Sequence, residues 1–530
     1  MTHSIQLKSL TDHYPTFLSH FASEESTLLN ADQLRSLDRF TESHREELVR
    51  NILEDLKRWN APEGSIESAE QLRSANCYAV VTGQQAGIAT GPLYTLYKAV
   101  GTIRLAQKLQ EKHPDYQFVP VFWVEADDHD FDEARTINLM ERSGDLRTIL
   151  YDDGDERRRS VGDRETTEEG LNRLLSQVEE IVGETDFTQE SLELLKSSYT
   201  DGTLADGFAR FFYKLLGDTS LVLLSSRNAG LKHLAADIFL REAENPEEQY
   251  NAITTRTAAM QADELPTPID PKPGALFIQH EGERLSLDLQ GEEYVIRGTE
   301  VRMTKNEVAE IAKTTPEKLS PNVLLRPIVQ DAILPTAIYL GGPSEVAYLS
   351  QLSDLYPLFS METPAIAPRP FVTLVEPKVE RALEGTDLTL QELFAKSFDA
   401  AEHFVDEEKA GEIDRQLTEG ERLIAEAFNG LQALTEAIDK SLEKTLGANQ
   451  HKASKELENF GGRLRGALKR KNETEIKRVQ TARQLLLPGD TLQERTLNVL
   501  YYTNKYGVEK VREILREIDI LPGEMQVITI

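Results

Sequence analysis

The feature that most constrains the fold of this chain is a series of short apolar runs separated by long stretches with helical spacing. Three of these runs, at 78–81, 118–124 and 221–224, consist of aliphatic and aromatic residues, and each is followed by a polar or acidic residue. After the first run, apolar residues recur every three or four positions, as in an amphipathic helix. Apolar strands that alternate with helices predict an α/β fold, a mainly parallel sheet with helices on both faces.

Other signals extend this pattern along the chain. Residues 25–75 are polar, with apolar positions at helical spacing, and predict helices that lead into the core. Further strands are expected at 322–325, 336–340 and 365–374, with a helix at 344–355. The core is therefore expected to extend over residues 1–375.

Two stretches, about 140–200 and 245–320, interrupt the alternation of strands and helices. The first is strongly acidic with few apolar residues. The second begins with a Pro-rich linker and continues into an alternating pattern at 285–296 that predicts a hairpin. We interpret both stretches as insertions into the core.

Beyond residue 376 the strand signals end and a heptad pattern begins. Apolar or small residues from Ile413 to Ile438 recur at alternating spacings of four and three, which predicts a coiled coil. A turn at 447–449 and a second periodic stretch at 457–467 predict an antiparallel returning helix. The sequence thus predicts a helical coiled-coil arm over 376–490, and a C-terminal segment, 491–530, that packs back on the core.

The arm either packs only on itself or also contacts a partner chain. Gly461 and Gly462 in the returning helix are expected to leave gaps, because glycine has no side chain to fill the seam. The heptad pattern is also longer than one interrupted helix can cover. We therefore expect the arm to hold two subunits together.

Charge and cysteine content exclude several classes of protein. The 530 residues suggest about three folding units, and 59 basic against 90 acidic residues give a net charge of −31. Such a charge repels nucleic acid and anionic membranes, so neither is an expected partner. Cys77 is the only cysteine, which excludes internal disulfides and multi-cysteine metal sites. No signal peptide is apparent, so a cytoplasmic location is expected.

Cys77 itself begins the first predicted strand. No histidine or basic residue lies near it in the sequence to activate a thiolate. We therefore interpret it as a small core residue and not as a nucleophile.

The first motif that could carry chemistry joins the first predicted strand to the following helix. Gly83, Gly87 and Gly91 would let the backbone approach a ligand closely, and N–H groups at the helix start suit a phosphate or carboxylate. Gln84 and Gln85 add side-chain amides that both donate and accept hydrogen bonds. The spacing matches neither the dinucleotide fingerprint nor a Walker loop. A plain tight turn is the alternative.

The second motif is an acidic run after the second predicted strand. It consists of Asp127, Asp128, His129 and Asp130, with Asp132 and Glu133 following. Open α/β sheets bind ligands at the carboxyl ends of their strands, so we expect His129 to share one pocket with Gln84 and Gln85. The carboxylates could bind a cationic amine or a divalent ion, and negative neighbours would reinforce the proton chemistry of the histidine. A solvated acidic turn is the alternative.

The third motif surrounds the strand expected at 336–340. Arg326 is suited to bind a carboxylate, and Gly342 before Pro343 marks a second turn from a strand into a helix. Ser344 and Glu345 either contribute to the site or only cap that helix.

With these motifs in view, the chain resembles the cysteine-adding enzymes of bacillithiol biosynthesis, the BshC family, nearly from end to end. The matching motifs are Val81 to Gly87, Thr90 to Thr95, Phe122-Trp123-Val124, Asp128-His129-Asp130, Arg326-Pro327 with Gln330, Gly342-Pro343 with Glu345, and Asn498, Tyr501-Tyr502, Asn504 and Tyr506-Gly507. One departure is Asp127, where the family usually has Glu, which keeps the charge on a shorter side chain.

Carried over residue by residue, the resemblance implies two sets of site residues. The catalytic set comprises Gln84, Gln85, Asp128, His129 and Asp130. The set that binds substrate or nucleotide comprises Gly83, Gly87, Thr90, Tyr94, Asp127, Arg326, Gln330, Gly342, Glu345, Asn498, Tyr502 and Asn504. The metal, if any, is not assigned.

The resemblance also implies a fold and a reaction. The fold is a Rossmann-like core similar to class I nucleotidyltransferases and aminoacyl-tRNA synthetases, with an antiparallel coiled-coil arm that forms a homodimer. The reaction joins cysteine to glucosaminyl-malate to form bacillithiol. Because an amide bond needs an activated carboxylate, the expected cosubstrate is ATP or a related adenine nucleotide, used through an acyl adenylate or an acyl phosphate. Whether Mg²⁺ takes part stays open.

Two other functions are compatible with the sequence. Gln84 and Gln85 stand where the related folds have a histidine pair, which favours a non-catalytic coiled-coil dimer that retains a ligand site. Polar groups at three neighbouring strand ends favour an enzyme instead. A nucleotide-sugar transferase would share the core but would need no amino-acid pocket.

Overall fold

The computed structural model describes residues 2–10, 29, 37–404, 407–471 and 473–530. Its central sheet has five strands, β1 (Cys77–Gln85), β2 (Gln117–Glu125), β3 (Val222–Ser225), β4 (Thr336–Gly341) and β5 (Ala365–Pro368). Their order is β5-β4-β1-β2-β3, and every neighbouring pair is parallel. This arrangement confirms the Rossmann-like α/β class. The strand order reverses between β1 and β4, which makes that edge the topological switch point.

The core strands form because their side chains are buried on both faces. The helix Tyr94–Lys112 connects β1 to β2 and packs closely, since a Cβ on Gly101 would lie 2.5 Å from Cδ of Pro370. On the other side of β2, the rings of Phe208 and Phe212 lie 5.9 and 5.2 Å from that of Phe122. Aromatic pairs of this kind stabilise a core by about 0.5–1.5 kcal/mol beyond the area they bury.

Three predicted elements differ from the structure. β1 continues to Gln85, into the stretch expected to be a loop, because it pairs with β2 along its whole length. The strand expected at 322–325 is wrong: the strand is Leu319–Pro321, and the side chain of Asn322 then accepts from two backbone N–H groups in a turn.

The strand expected at 365–374 is in fact two strands. β5 ends at Pro368, and Phe371–Val375 belongs to another sheet. Proline has no N–H for a ladder, so Pro368 and Pro370 interrupt the pairing between the two strands.

The remaining elements before residue 376 cover the sheet or form the insertions. The two predicted helices before β1 are Glu42–Arg58 and Glu63–Gln71, while 25–28 and 30–36 lie outside the described residues. The other helices of this part are Phe131–Ala134, Glu168–Val182, Thr188–Ser198, Leu204–Leu216, Ala229–Leu234, Ala236–Glu244, Pro246–Ala262, Lys305–Thr314, Arg326–Ile333 and Pro343–Ser350.

Each insertion contains antiparallel strands. The first has the hairpin Thr136–Met140 and Leu146–Leu150. The second has a five-stranded sheet in the order Arg302–Thr304, Glu293–Ile296, Glu283–Gln290, Leu276–His280 and Leu319–Pro321. The pairing of Glu283–Gln290 with Glu293–Ile296 confirms the predicted hairpin.

The C-terminal residues form part of the same unit as the core. Residues 487–530 group with the described part of 1–375. They contain the helices Gln493–Thr496, Leu500–Tyr506 and Val508–Glu517 and the strand Glu524–Thr529. That strand lies between Thr2–Gln6 and Phe371–Val375 in a three-stranded sheet.

Residues 376–486 form a second unit, which is helical throughout its regular elements. Its helices are Pro377–Leu383, Ala400–His403, Glu407–Ile438, Glu443–Lys471 and Glu473–Leu486. The two longest form the predicted antiparallel hairpin. The turn expected at 447–449 is wrong, because the chain reverses at 439–442, where the Asp439 side chain accepts from the Ser441 N–H.

The expectation that Gly461 leaves a gap in this hairpin is also wrong, whereas a Cβ on Gly462 would meet no atom of the described residues within 4 Å. Gly420 and Gly461 provide the space in which leucines of the opposite helix pack. A Cβ on Gly420 would lie 2.7 Å from Leu457 Cδ2, and one on Gly461 would lie 2.5 Å from Leu417 Cδ1. The missing side chains thus let the two helices approach each other closely.

In the part of the chain that the structure describes, none of the helices has the length and hydropathy that a membrane span requires.

Candidate functional site

A cavity of about 510 Å³ lies at the carboxyl ends of the parallel strands, beside the switch point. Residues from the ends of β1 and β2 and from the segments after β4 and β5 line it, together with parts of the second insertion and of the C-terminal segment. Its volume is typical of a small-molecule site. Gln84, Gln85 and His129 all line this cavity, which confirms the prediction that they share one pocket.

About half of the residues predicted for the site line this cavity. They are Gly83, Gln84, Gln85, Tyr94, Asp128, His129, Arg326, Gly342 and Glu345. The others lie outside the lining: Gly87, Thr90, Asp127, Asp130, Gln330, Asn498, Tyr502 and Asn504.

A buried ion pair lies beneath the glutamines. Lys98 is fully buried, and its Nζ donates to Glu345 Oε2 at 2.7 Å, to Gln84 Oε1 at 3.2 Å and to the carbonyl of Gly83. Glu345 also accepts from the N–H of Gly342, and so caps the helix Pro343–Ser350. Lys98 therefore joins the end of β1 to the turn after β4.

Burial and charge act against each other on this pair. Burial lowers the pKa of Lys98, while Glu345 raises it. Burial by itself raises the pKa of Glu345, but Lys98 and the Gly342 N–H bring it below its ordinary value. Glu345 is therefore ionised, and its negative charge compensates the positive charge of the buried Lys98.

The surroundings of His129 contain more than the expected negative neighbours. Its Nδ1 lies 2.9 Å from Nη1 of Arg284, and its Nε2 lies 2.6 Å from Nη2 of Arg158. Burial, followed by the charge of Arg284, lowers the pKa of His129. The expected negative neighbours are present, since Asp128 and Asp130 raise this pKa, but burial and the arginines outweigh them. The local sequence does not reveal Arg284 and Arg158, because both come from the insertions.

The Asp128 carboxylate organises the backbone at this point. Its Oδ1 accepts from the N–H groups of His129 and Asp130, at 2.7 and 3.2 Å. Asp130 in turn caps the short helix Phe131–Ala134, and its carbonyl accepts from the Gln85 side chain at 2.7 Å. The acidic run is therefore a hydrogen-bonded turn that positions His129.

Two further carboxylates line the cavity after β2. Glu125 accepts from Trp123 Nε1 at 3.0 Å and from Ser226 Oγ at 2.9 Å, and burial followed by Asp127 raises its pKa. Glu133 accepts from Gln84 Nε2 at 3.3 Å, and burial followed by Asp130 raises its pKa. Both groups hold a proton to higher pH than an exposed glutamate does.

Arginines bring positive charge to the lining. Arg326 donates to Gln330 Oε1 at 3.0 Å and to the Tyr348 hydroxyl at 2.8 Å, so Gln330 supports it from outside the cavity. Arg369 is buried and pairs with Glu494 at 2.6 Å. Arg495 lines the cavity and lies over the ring of Tyr94. Guanidinium groups of this kind bind carboxylates and phosphates.

Tyr94 lines the cavity close to charged groups of both signs. Burial, followed by the charges of Glu133 and Glu345, raises the pKa of Tyr94 to about 12. Its hydroxyl is therefore protonated at neutral pH and can donate a hydrogen bond.

The turn between β1 and its helix is held by the C-terminal segment. Asn498 Nδ2 lies 3.3, 3.1 and 2.9 Å from the carbonyl oxygens of Ile88, Ala89 and Gly91. Ala89 and Thr90 have positive φ angles of 49° and 71°, a conformation that these contacts maintain. Asn498 and Thr90 therefore shape the loop without lining the cavity.

The start of the helix Tyr94–Lys112 is less open to an anion than the sequence suggests. The N–H of Leu93 already donates to the carbonyl of Leu497, and that of Thr95 donates to the carbonyl of Pro92. Gly87 is needed for the tight turn, since a Cβ there would lie 3.2 Å from Cα of Gly91. The guanidinium groups of the lining are therefore the stronger anion donors.

The remaining predicted residues lie farther from the cavity. Asp127 is buried behind it, with Oδ1 2.8 Å from Lys232 Nζ and 3.4 Å from Arg227 Nη1. Tyr502 and Asn504 are buried in the helix Leu500–Tyr506. Asn504 donates to the carbonyl of Gly183, in the first insertion. Asp127 therefore stabilises the fold behind the site.

Sequence reasoning missed several residues that line the cavity or contact its lining. They are Lys98, Glu125, Arg158, Arg284, Arg369 and Arg495. Lys98 offered a signal, because it is a lysine on a helix whose neighbouring positions are apolar. The arginines offered none, since they come from segments distant in sequence.

Aromatic side chains and guanidinium groups line the cavity together. Trp123, Tyr94 and Tyr339 supply the rings, and Arg326 and Arg495 supply cations of the kind that bind phosphate. Across the described ranges there is no group of three or more His, Cys, Asp or Glu side chains arranged to hold a metal ion.

Comparison with known proteins covers almost the whole chain. The family model described as "Bacillithiol biosynthesis BshC, N-terminal Rossmann-like domain" matches residues 6–370, and the model of the BshC C-terminal coiled-coil domain matches residues 372–530.

Curated relatives agree with these family models. Proteins named "Putative cysteine ligase BshC" include one from Chlorobaculum tepidum, 31% identical over 89% of this chain and 86% of the relative. Another, from Salinibacter ruber, is 32% identical over 89% of this chain and 87% of the relative. A third, from Bacillus cytotoxicus, is 28% identical over 89% of this chain and 88% of the relative.

Proposed function

Because the chain belongs to the BshC family of bacillithiol biosynthesis, we propose that it is a ligase that adds L-cysteine to glucosaminyl-malate and so forms bacillithiol. The relatives described above are named "Putative cysteine ligase BshC", and they match most of the chain. The new bond is an amide between the cysteine carboxyl group and the amine of the glucosamine.

The observation that carries this proposal is one cavity lined by groups of both charges. Carboxylates of Glu125, Asp128, Glu133 and Glu345 line it, and so do the guanidinium groups of Arg284, Arg326 and Arg495. Cysteine and glucosaminyl-malate each carry an amine and at least one carboxylate. A cavity with both signs of charge can therefore bind and orient both substrates.

The carboxylates after β2 suit the amine that must attack. An amine is a nucleophile only when it has lost its proton, and Glu133 lies beside Gln84 with a raised pKa. A carboxylate with a raised pKa is a better proton acceptor than an ordinary glutamate. Glu133 or Glu125 therefore receives the proton that the amine releases.

We propose ATP as the source of activation, because a free carboxylate does not form an amide unassisted. ATP supplies a leaving group on the acyl carbon, either AMP or phosphate. Within the chain, Arg326 and Arg495 would neutralise phosphate charge, and Tyr94 could donate a hydrogen bond. Either an acyl adenylate or an acyl phosphate is compatible with these groups.

We also propose a homodimer formed through the arm. Several large apolar side chains of its hairpin are exposed: Leu423, Leu431, Leu434, Ile438, Leu442, Phe460 and Leu464. Leu431, Leu434 and Ile438 continue the heptad pattern of the helix Glu407–Ile438. An apolar seam of this kind is covered in a coiled coil by a second chain.

The test is direct assay of the purified protein. Cysteine, glucosaminyl-malate and ATP are incubated with it, and bacillithiol is detected by mass spectrometry. Formation of AMP or of ADP distinguishes the two routes. His129→Ala should abolish product while changing the melting temperature by only a few degrees, since a site residue contributes little to packing. Absence of bacillithiol from the incubation with ATP would contradict the proposal.

A further inference from the structure

The two ring nitrogens of His129 both face hydrogen-bond donors. Nδ1 lies 2.9 Å from Arg284 Nη1, and Nε2 lies 2.6 Å from Arg158 Nη2. A guanidinium only donates, and a neutral imidazole has one lone pair and one N–H. At most one of these two contacts can therefore be a hydrogen bond, and the other places two donors side by side.

Arg284 determines which nitrogen accepts. It is 5% exposed, and it donates to Ser320 Oγ and to the carbonyl of Pro321, each at 2.8 Å. It also packs 3.7 Å above the ring of Phe277. Because these contacts fix its guanidinium, Nδ1 of His129 must be the acceptor.

The opposite tautomer has no acceptor for its proton. A proton on Nδ1 would face the fixed Arg284, and Asp128 Oδ1 is 3.8 Å from Nδ1, beyond hydrogen-bond distance. The proton of neutral His129 therefore lies on Nε2. Burial and the neighbouring arginine also favour the neutral ring, since both lower its pKa.

Arg158 has a fixed backbone and an uncommitted side chain. Its N–H donates to Glu283 Oε1 at 2.8 Å, and its carbonyl accepts from the N–H of Arg284 at 2.9 Å. Its guanidinium is exposed and forms no ion pair with any residue that the structure describes. The cation therefore stands beside the Nε2–H of His129 with no carboxylate partner among the described residues.

We propose that the Nε2–H of His129 and the guanidinium of Arg158 form an anion subsite at the edge of the cavity. Two adjacent donors, one of them charged, attract a carboxylate or phosphate oxygen, which would also relieve the contact between them. His129 acts here as a neutral donor to an anionic oxygen and not as a general base. The role of this subsite in the reaction rests on the proposed ligase function. Its binding of an anion does not depend on that function.

The role in the reaction follows from where charge develops. Activation of a carboxylate places negative charge on acyl or phosphoryl oxygens, and preorganised donors stabilise that charge. A neutral histidine with a fixed tautomer needs no proton transfer to do so. Arg158 and Arg284 come from the two insertions. The subsite therefore forms only when folding brings both insertions next to His129.

Nuclear magnetic resonance of protein with ¹⁵N-labelled histidine rings tests the tautomer. The chain has 10 histidines, so His129→Gln assigns the resonance. Near neutral pH we expect a pyridine-type Nδ1 and a pyrrole-type Nε2 for His129. An unprotonated Nε2, or a doubly protonated ring, would overturn the proposal.

Titration with inorganic phosphate and, separately, with L-malate tests the subsite. We expect at least one of the two probes to shift the Nε2 resonance, and the stronger binder identifies a phosphate or a carboxylate site. Arg158→Gln should weaken that binding about tenfold or more, and Arg158→Lys less. Arg157→Gln is the matched control, because Arg157 pairs with Asp155 and should leave binding unchanged.

Two results of this titration would overturn the subsite: no shift with either probe, or equal binding by wild type and Arg158→Gln. These outcomes are independent of the ligase assay. Intact anion binding without bacillithiol formation would contradict the proposed reaction and leave the subsite standing.

Discussion

At the scale of single residues, the site depends on charges held where water does not screen them. His129 is the clearest case, since Arg284 and Arg158 act on it against Asp128 and Asp130. The balance favours the neutral ring. Lys98 is the opposite case, a cation kept in the interior by one carboxylate and two oxygen acceptors.

The lowered pKa of His129 predicts the pH range of its neutral form. Burial and Arg284 both lower this pKa. The ring should therefore become charged at a lower pH than an ordinary histidine, whose pKa is about 6.5. Any activity that needs the neutral ring is then retained at neutral pH and lost only as pH falls through the lowered pKa. Titration of the assigned ring resonance measures this. A midpoint at or above 6.5 would contradict the prediction.

Lys98→Met should strongly destabilise the core. It leaves the Glu345 carboxylate without its cation, and breaking a buried pair costs about 3–5 kcal/mol of unfolding free energy. The double variant Lys98→Met with Glu345→Gln should recover most of this loss, because glutamine still accepts from the Gly342 N–H. Urea unfolding of the four proteins forms a double-mutant cycle. Additive effects of the two changes would show that the pair is not coupled.

At the scale of elements, packing in the arm depends on which glycines face the opposite helix. A Cβ on Gly461 would meet Leu417, while a Cβ on Gly462, the next residue, would have no atom of the described residues within 4 Å. The same helix therefore contains one glycine required by packing and one that is not.

Alanine at these two positions should change stability in opposite directions. Gly461→Ala would place a Cβ 2.5 Å from Leu417 Cδ1 and should destabilise the hairpin by about 1–3 kcal/mol. Gly462→Ala meets open space and should stabilise the helix by about 1 kcal/mol, because alanine favours helix over glycine. Thermal unfolding followed by circular dichroism compares them. Effects of the same sign would show that Leu417 moves aside without cost.

At the scale of the whole molecule, the exposed seam of the arm determines the expected assembly. The side chains of Leu431 and Leu434 are 47% and 57% exposed in the single chain. Exposed leucines in a heptad pattern are covered when a second chain packs on them.

Replacing Leu431 and Leu434 by Lys should abolish the dimer. Each lysine would be buried without a partner in the proposed seam, at a cost of several kcal/mol, which is comparable with the association itself. Light scattering of the double variant gives the mass. Gln432→Lys, on the same helix but outside the heptad pattern, is the control and should stay dimeric. A dimer mass for the double variant would place the contact elsewhere.

The sequence by itself determined the classes of element and the ends of strands where ligands bind. Apolar runs such as 118–124 are buried on both faces in any parallel sheet, and the glutamines and acidic run that follow them therefore had to reach one edge. The heptad pattern similarly predicted the hairpin of the arm. These are local properties, because spacing of apolar residues decides them.

The tertiary structure alone decided the partners of those residues. Lys98 meets Glu345 across 247 positions, His129 meets Arg284 across 155, and Asn498 meets Gly91 across 407. Such contacts depend on strand order and on where insertions pack, and no local spacing encodes either. For the same physical reason the sequence predicted only the acidic neighbours of His129, Asp128 and Asp130, while the arginines that act against them come from segments distant in the chain.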